Sequence, residues 1–151
     1  MRSVTIRQRC AAPADVAWAV ATDLENAPSA MTGITSTEVL TDSGFGVGTR
    51  WKETRTMHGR QASETMTVTA VEPGTSYTAE ATSSGVRYRT TWTIVPTEDG
   101  SEIVMTFGGE AAGPLGAVMS RAMGLMTRSV EKTMRQDMAD LAAAAERRAG
   151  H

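Results

Sequence analysis

Cysteine, histidine and aromatic residues are all scarce in this chain of 151 residues. The single cysteine, Cys10, excludes an intrachain disulfide and favours a reducing compartment, so we expect a cytoplasmic protein. The two histidines, His58 and His151, have no partner at metal-ligand spacing, and we therefore expect no bound metal. The glycine-rich stretch 44–48 lacks the following helix and the Gly-Lys-Ser/Thr sequence of a phosphate loop, and no nucleophile motif is present. We expect no cofactor.

Long apolar runs and a large net charge are also absent. No stretch is long and apolar enough to cross a bilayer, and the first residues lack the apolar run of a signal peptide. We therefore expect no stable membrane insertion. The formal net charge of −2 argues against a nucleic-acid-binding protein. A length of 151 residues suits a single domain, 1–151, and leaves open whether the protein is a monomer or a homodimer.

The most informative stretch is 49–70, in which the dipeptide His58-Gly59 predicts the turn of a β-hairpin. Because side chains alternate across a sheet, one face of this hairpin carries only polar residues and meets water. The opposite face holds the apolar residues and must point inward, yet it also carries Glu53, Arg55 and Glu64. Inward charges are costly unless they are paired or hydrated. The hairpin therefore predicts a lined cavity rather than a dry core.

Three later turns extend the hairpin into an antiparallel meander that ends near residue 107. Their registers agree on one apolar inner face, and a slip by one residue at any turn would destroy that agreement. The predicted pairs are Trp51 with Met66, Glu53 with Glu64, Val68 with Ala79, Ala70 with Tyr77, Ala81 with Tyr88, Ala79 with Thr90, Tyr77 with Trp92, Trp92 with Met105 and Ile94 with Ile103.

The segments that flank the meander complete the predicted order of elements. An amphipathic strand at residues 4–10 is followed by a helix over Pro13–Thr22, a second short helix or turn, and a strand over Ile34–Leu40. From residue 115 to 148 apolar residues recur at helical spacing. A long amphipathic helix that follows a curved sheet is expected to lie across its concave face. The fold class is therefore α+β.

This order of elements resembles the START-like helix-grip fold, also called Bet v 1-like, in which a curved antiparallel sheet wraps around a long C-terminal helix. The residues that carry the resemblance are Ala12–Trp18 in the first helix, Gly46–Trp51 at the entry to the third strand, and Val71–Gly74 after the fourth. They are similar to the polyketide cyclase/dehydrase-like branch of the SRPBCC superfamily. The resemblance spans almost the whole chain and implies a deep hydrophobic cavity between sheet and helix.

The charged residues of the inner face are the candidate catalytic group. Directly opposed residues in a sheet have Cβ atoms roughly 5 Å apart. We expect Trp51, Met66 and the C-terminal helix to shield both Glu53 and Glu64 from water, so the two carboxylates are not expected to ionise independently. Such a pair can exchange protons with a ligand carbonyl or enol, and Arg55 can hold one carboxylate or a ligand oxyanion. The alternative is a structural Glu–Arg–Glu network in a hydrated cavity.

Aromatic rings and methionines supply the candidate ligand-binding residues, with plain core packing as the alternative for each. They are Trp51, Met66, Tyr77, Tyr88, Thr90, Trp92, Met105, Met119, Met123 and Met126.

We therefore expect the cavity to bind a hydrophobic, partly oxygenated small molecule, lipid-like or polyketide-like. Two alternatives stay open. One is a polyketide-type cyclase or dehydratase that uses Glu53, Glu64 and Arg55. The other is a protein-interaction module like the co-chaperone members of the superfamily, which would require a large exposed apolar patch.

Overall fold

The alternating stretches of the sequence form one antiparallel sheet in the computed structural model, which describes residues 2–57, 59–83, 85–111 and 116–150. In chain order the elements are β1 (Arg2–Cys10), α1 (Ala14–Ala21), a 3-10 turn (Leu24–Asn26), α2 (Ala27–Ala30), β2 (Ile34–Val39), β3 (Arg50–Met57), β4 (Arg60–Glu72), β5 (Ser76–Ser83), β6 (Val86–Thr97), β7 (Gly100–Ala111) and α3 (Gly116–Arg148).

The seven strands among the described residues lie in the order β1-β7-β6-β5-β4-β3-β2, and every neighbouring pair is antiparallel. The meander is therefore confirmed, and β1 pairs with β7 at the far edge. The predicted pairing of Glu53 with Glu64 is confirmed, as are the registers of the two hairpins that follow β5. His58, which we predicted in the first turn, lies outside the described residues.

One predicted pair is wrong. Ala70 pairs with Thr78, and Tyr77 pairs instead with Val71. The cause is a β-bulge between Val68 and Ala70, which places one extra residue in β4 and reverses the faces of the residues after it. Ala70 is consequently exposed, and Val71 packs against the core in its place.

The helices follow the predicted pattern with small shifts at their ends. The first helix is one residue shorter at each end than predicted, and α3 begins one residue later. The region between α1 and β2 contains both a 3-10 turn and the four-residue α2. No described helix combines the length and the hydropathy that a membrane span requires.

Two groups of buried side chains lie on the inner face of the sheet. The first core cluster joins β1, β6 and β7 to α1 and the C-terminal half of α3, and its largest fully buried members are Ile94, Ile103, Met138 and Leu141. The second core cluster lies on β3, β4 and β5 against the 3-10 turn and consists of Leu24, Trp51, Val68, Tyr77 and Ala79. Trp18 and Trp92 pack against both clusters.

Hydrogen bonds between the helix and the turns of the chain hold α3 in place. The backbone N–H of Ala11 donates to Glu146 Oε2 at 2.8 Å, and the Cys10 thiol donates to the carbonyl oxygen of Ala142 at 3.7 Å. Nearer the middle of α3, Asp140 Oδ2 accepts hydrogen bonds from both the backbone N–H and the hydroxyl of Thr32, at 3.0 and 2.8 Å. These contacts fix the rotation of the helix over the sheet.

The close packing of the start of β7 against the end of β1 can be tested at Gly100. Gly100 has a φ of +144°, and a Cβ there would overlap the carbonyl oxygen of Cys10 and lie 2.8 Å from the carbonyl carbon of Ala11. We expect Gly100→Ala to lower the free energy of unfolding by about 3 kcal/mol, because backbone strain and steric overlap both act. Urea denaturation measures this change.

Gly74→Ala is the matched control. Its φ is +78°, but nothing lies within 4 Å of a Cβ there, so only the backbone penalty of about 1–2 kcal/mol applies. Equal effects of the two substitutions would contradict the close approach of β7 to the end of β1.

Candidate ligand-binding and active site

A cavity of about 200 Å³ lies between the sheet, the segment from α1 to α2, and α3. Its walls come from both core clusters, so the cavity occupies the space between them. Most of the wall is apolar, with a small group of charged side chains. The largest apolar lining residues are Val20, Leu24, Met31, Trp51, Met66, Tyr77, Trp92, Met105, Phe107, Val130 and Met134.

The predicted ligand-binding residues divide into three groups. Six of them line the cavity: Trp51, Met66, Tyr77, Thr90, Trp92 and Met105. Tyr88 is absent from the described lining, and its ring instead stacks on Phe107 with 5.7 Å between centroids. The side chains of Met119, Met123 and Met126 lie outside the described residues. Ligand contact stays a prediction for all of them.

Tyr77 is buried by an aromatic cluster that closes one side of the cavity. Its ring makes edge-to-face contacts with Trp18 at 6.1 Å and with Phe45 at 5.0 Å between centroids. Its hydroxyl donates to the carbonyl oxygen of Ala21 at 3.3 Å. Burial raises the pKa of Tyr77, and the nearby carboxylate of Glu53 raises it further. Tyr77 is thus a neutral, structurally engaged wall of the cavity.

Arg55 is the centre of the charged group, and its partners come from two elements. Its Nε donates to Glu53 Oε2 on the same strand at 2.8 Å. Its Nη1 and Nη2 donate to the two carboxylate oxygens of Asp137 on α3, at 3.2 and 2.7 Å. This is a bidentate arginine–carboxylate pair, which is strong and directional. It joins the sheet to the helix at the cavity wall.

All three charged side chains are shielded from water. The exposed fraction is 22% for Arg55, 19% for Glu53 and 6% for Asp137. Burial lowers the pKa of Arg55, but its hydrogen bonds and charge interactions with Asp137 and Glu53 outweigh burial and raise it. Arg55 is therefore always cationic. Trp51 Nε1 adds a long hydrogen bond of 3.5 Å to Glu53 Oε1.

Asp137 carries the charge that is not fully compensated. Burial raises the pKa of Asp137, the ion pair with Arg55 opposes this, and the carboxylates of Glu53 and Asp140 raise it again. Burial is the largest of these effects, and one guanidinium shared between two carboxylates does not cancel it, so the pKa of Asp137 is raised on balance. A buried carboxyl group of this kind can take up or release a proton inside the cavity.

Glu64 occupies a different environment from the one expected. It lines the cavity but is exposed, as are all residues from 60 to 65 of β4, so it lies at the mouth of the cavity. Arg55 binds Glu53 and Asp137, and no described hydrogen bond joins it to Glu64. The expectation that both glutamates are shielded is wrong for Glu64. The register is right, but shielding depends on what covers each residue.

Sequence reasoning missed Asp137 and Gly33. A Cβ at Gly33 would lie 3.1 Å from Arg55 Nη1 and 3.4 Å from Asp137 Oδ1, so the loop before β2 closes directly over the ion pair. Asp137 lies three residues after Met134 and four before Leu141, on the apolar side of α3. A carboxylate among the apolar residues of a helix indicates a buried charge, and this pattern could have identified Asp137 from the sequence. No group of three or more metal-ligating side chains occurs among the described residues.

A protein-family model and several solved structures match nearly the whole chain. A family model described as polyketide cyclase / dehydrase and lipid transport matches residues 1–146. The Zhui aromatase/cyclase from Streptomyces sp. R1128 superposes with a TM-score of 0.78 at 22% identity, over 97% of this chain and 94% of that one. Ara h 8.0201 superposes with a TM-score of 0.71 at 16% identity, over 95% and 97% of the two chains. The comparison with curated proteins gives no significant match.

Two further structures are larger than this chain. The di-domain aromatase/cyclase StfQ from the steffimycin biosynthetic pathway gives a TM-score of 0.80 at 12% identity, over 99% of this chain and 52% of that one. BexL, from the BE-7585A biosynthetic pathway, is covered over 46% of its length. This chain thus spans about half the length of these di-domain proteins. At such identities the likenesses establish the helix-grip, Bet v 1-like fold.

The ion pair at the cavity gives a stability prediction. We expect Arg55→Met to lower the free energy of unfolding by about 3–5 kcal/mol, because it leaves the carboxylates of Glu53 and Asp137 buried without a cation. The matched control is Arg89→Met, which breaks a more exposed pair with Glu80 at 3.4 Å and should cost less than about 1 kcal/mol. Equal losses in urea denaturation would show that the Arg55 pair does not hold the helix.

The hydrogen bonds of Asp140 give a pH prediction. Although burial raises the pKa of Asp140, hydrogen bonds from Thr32 and Gln136 and the charge of Arg147 lower it on balance. A lowered carboxyl pKa stabilises the fold above the unfolded-state value of 3.8 and loses this effect as the pH falls through the folded-state value. We expect Asp140→Asn to cost up to about 1 kcal/mol at pH 7 and progressively less toward pH 3. A cost independent of pH, measured by urea denaturation across this range, would contradict the assignment.

Proposed function

Because the chain belongs to the polyketide cyclase/dehydrase and lipid transport family, we propose that its cavity binds a hydrophobic, partly oxygenated small molecule of lipid or polyketide type. The observation that carries this proposal is an apolar cavity with a buried, hydrogen-bonded charged group in its wall. Apolar walls with a few fixed polar groups are typical of small-molecule sites. The apolar wall supplies affinity, and the charged group orients the polar part of the ligand.

The charged group favours a ligand site over a purely structural role. A buried ion pair repays the cost of desolvation poorly, and apolar residues of similar size often give equal or greater stability. Here one arginine faces two carboxylates in the wall of an open cavity. A ligand that donates or accepts hydrogen bonds at these charged side chains would give the arrangement a function in binding.

The second candidate function is a cyclase or dehydratase, and the position of Asp137 favours it. In this reaction the Asp137 carboxylate removes a proton from the carbon next to a ligand carbonyl. The resulting enolate attacks a second carbonyl carbon, and the alkoxide that forms takes the proton back from the Asp137 carboxyl group to become a hydroxyl group. Asp137 then removes the remaining proton from the attacking carbon and delivers it to this hydroxyl group, which leaves as water while a carbon–carbon double bond forms. Asp137 then takes the acid–base role that the sequence assigned to the pair Glu53 and Glu64. Glu53 and Arg55 set its protonation, and Glu64 remains at the mouth.

A protein-interaction function has less support. The large apolar residues that are exposed in the described part of the chain are Leu40, Val47 and Val95. Leu40 and Val47 lie in the loop between β2 and β3, and Val95 lies on β6. Scattered exposed residues of this kind are normal on a soluble surface and do not form the large patch that this function requires.

Ligand binding is tested by filling the cavity. Ala79 lines it and is 2% exposed, so Ala79→Leu should weaken binding of the neutral probe N-phenyl-1-naphthylamine about tenfold or more by occupying its volume. Fluorescence titration measures the affinity. Ala62→Leu makes the same change at an exposed position outside the described lining and should have no effect. Native mass spectrometry of the purified protein then searches for a bound small molecule. Absence of binding by the unmodified protein would contradict the proposal.

Catalysis is tested with a simple β-hydroxyketone, 4-hydroxy-4-phenylbutan-2-one, whose dehydration gives a conjugated enone with strong ultraviolet absorption. Asp137→Asn should slow turnover about 10²–10⁴-fold, as expected for loss of a general acid–base group. Binding of the neutral probe should change little, because the shape of the side chain is kept. Equal turnover by the variant and the unmodified protein would exclude Asp137 as the acid–base group.

A further inference from the structure

The described residues that line the cavity are strongly unbalanced in charge. Four of them are acidic, namely Asp23, Glu53, Glu64 and Asp137, and one, Arg55, is basic. They come from four separate parts of the chain: the segment after α1, strand β3, strand β4 and helix α3. The excess of negative charge therefore surrounds the cavity rather than lying on one edge of it.

Arg55, the one arginine among the described lining residues, is not available as a receptor for an anion. Three of its five N–H groups already donate to carboxylate oxygens of Glu53 and Asp137. The backbone at Gly33 lies close to the guanidinium, since a Cβ at this position would be only 3.1 Å from Arg55 Nη1. An incoming carboxylate would have to compete with two internal carboxylates that are held at 2.7 and 2.8 Å. The role of oxyanion receptor, which the sequence left open for Arg55, is therefore not favoured.

The carboxylate oxygens of the cavity can instead accept hydrogen bonds from a ligand. Ionised carboxylates only accept hydrogen bonds, and each oxygen has more than one lone pair. Glu53 Oε1 receives only the long 3.5 Å bond from Trp51 among the hydrogen bonds of the described residues. The rings of Trp51 and Trp92, which also line the cavity, present faces that attract cations. A ligand hydroxyl or ammonium group is therefore matched by both the acceptors and the rings.

We infer that the cavity selects hydrophobic ligands that donate hydrogen bonds, neutral alcohols or phenols and cationic amines, and discriminates against anionic lipids such as free fatty acids. This inference rests on the proposed binding function and names the charge class of its ligand. The apolar wall is common to all these ligands. The head group decides between these ligands, because only an anionic head group is repelled by the net negative charge that remains after Arg55 is counted against the four carboxylates.

The test uses three probes that share one apolar body and differ only in head group: 2-naphthylmethylamine, 2-naphthalenemethanol and 2-naphthoate. Their affinities are measured by isothermal titration calorimetry at pH 7 and low salt. We expect 2-naphthoate to bind about tenfold or more weakly than the alcohol, and the ammonium probe to bind at least as tightly as the alcohol. Binding of 2-naphthoate as tight as that of the alcohol would overturn the inference while leaving the binding function intact. If no probe binds, the proposed binding function fails and the inference fails with it.

A pair of variants identifies the source of the selectivity. Glu53→Gln removes one cavity charge but keeps an oxygen that can accept from Arg55, so the ratio of ammonium to carboxylate affinity should fall about threefold or more. Glu102→Gln removes the same formal charge from a residue that pairs with Arg7 at 3.0 Å and lies outside the described lining. This control should leave the ratio unchanged. If the affinity ratio fell equally in both variants, the selectivity would come from the net charge of the protein and not from the carboxylates of the cavity, which would overturn the inference.

Discussion

The bidentate ion pair between Arg55 and Asp137 is the interaction on which the rest of the site depends. It connects the strand β3 to the helix α3 across 82 positions of sequence. Removal of Arg55 would leave two carboxylates buried without a cation, whereas removal of Asp137 would leave Arg55 paired with Glu53 alone. The pair also fixes the distance between sheet and helix at the cavity wall, because both nitrogen–oxygen contacts are short and directional. The same ion pair therefore maintains the shape of the cavity and compensates the buried charges.

The strand pairings could be predicted because each depends on neighbouring residues. The turn chemistry and the alternation of side chains act within a few residues, and the pairing of Glu53 with Glu64 followed directly from them. The bulge at Val68 and Ala70 could not be predicted in this way. The bulge shifts the phase of the alternation, but Ala70 and Val71 are adjacent and both apolar, so the pattern does not show which of them points inward.

The environment of the charged residues could not be predicted, because it depends on elements that are remote in sequence. Glu53 and Glu64 face each other across two strands, yet only Glu53 is shielded. The difference arises from Asp137, which holds Arg55 over Glu53 from the far end of the chain. A cross-strand pair gives the distance between two carboxylates, whereas their desolvation is decided by whatever packs above the sheet. Local patterns carry no information about that covering.

The attachment points of α3 lie apart from most of the cavity wall. Glu146 is held by the end of β1, and Asp140 by the loop before β2. Met66 and Phe107, in contrast, line the cavity outside the core cluster that packs α3 onto the sheet. Side chains of the second kind can be exchanged for others of similar volume at small cost in stability. Because different residues attach the helix and line the cavity, the lining can change to fit a new ligand while the fold is retained. The same arrangement makes the chain a suitable starting point for designed receptors, in which only the wall is varied.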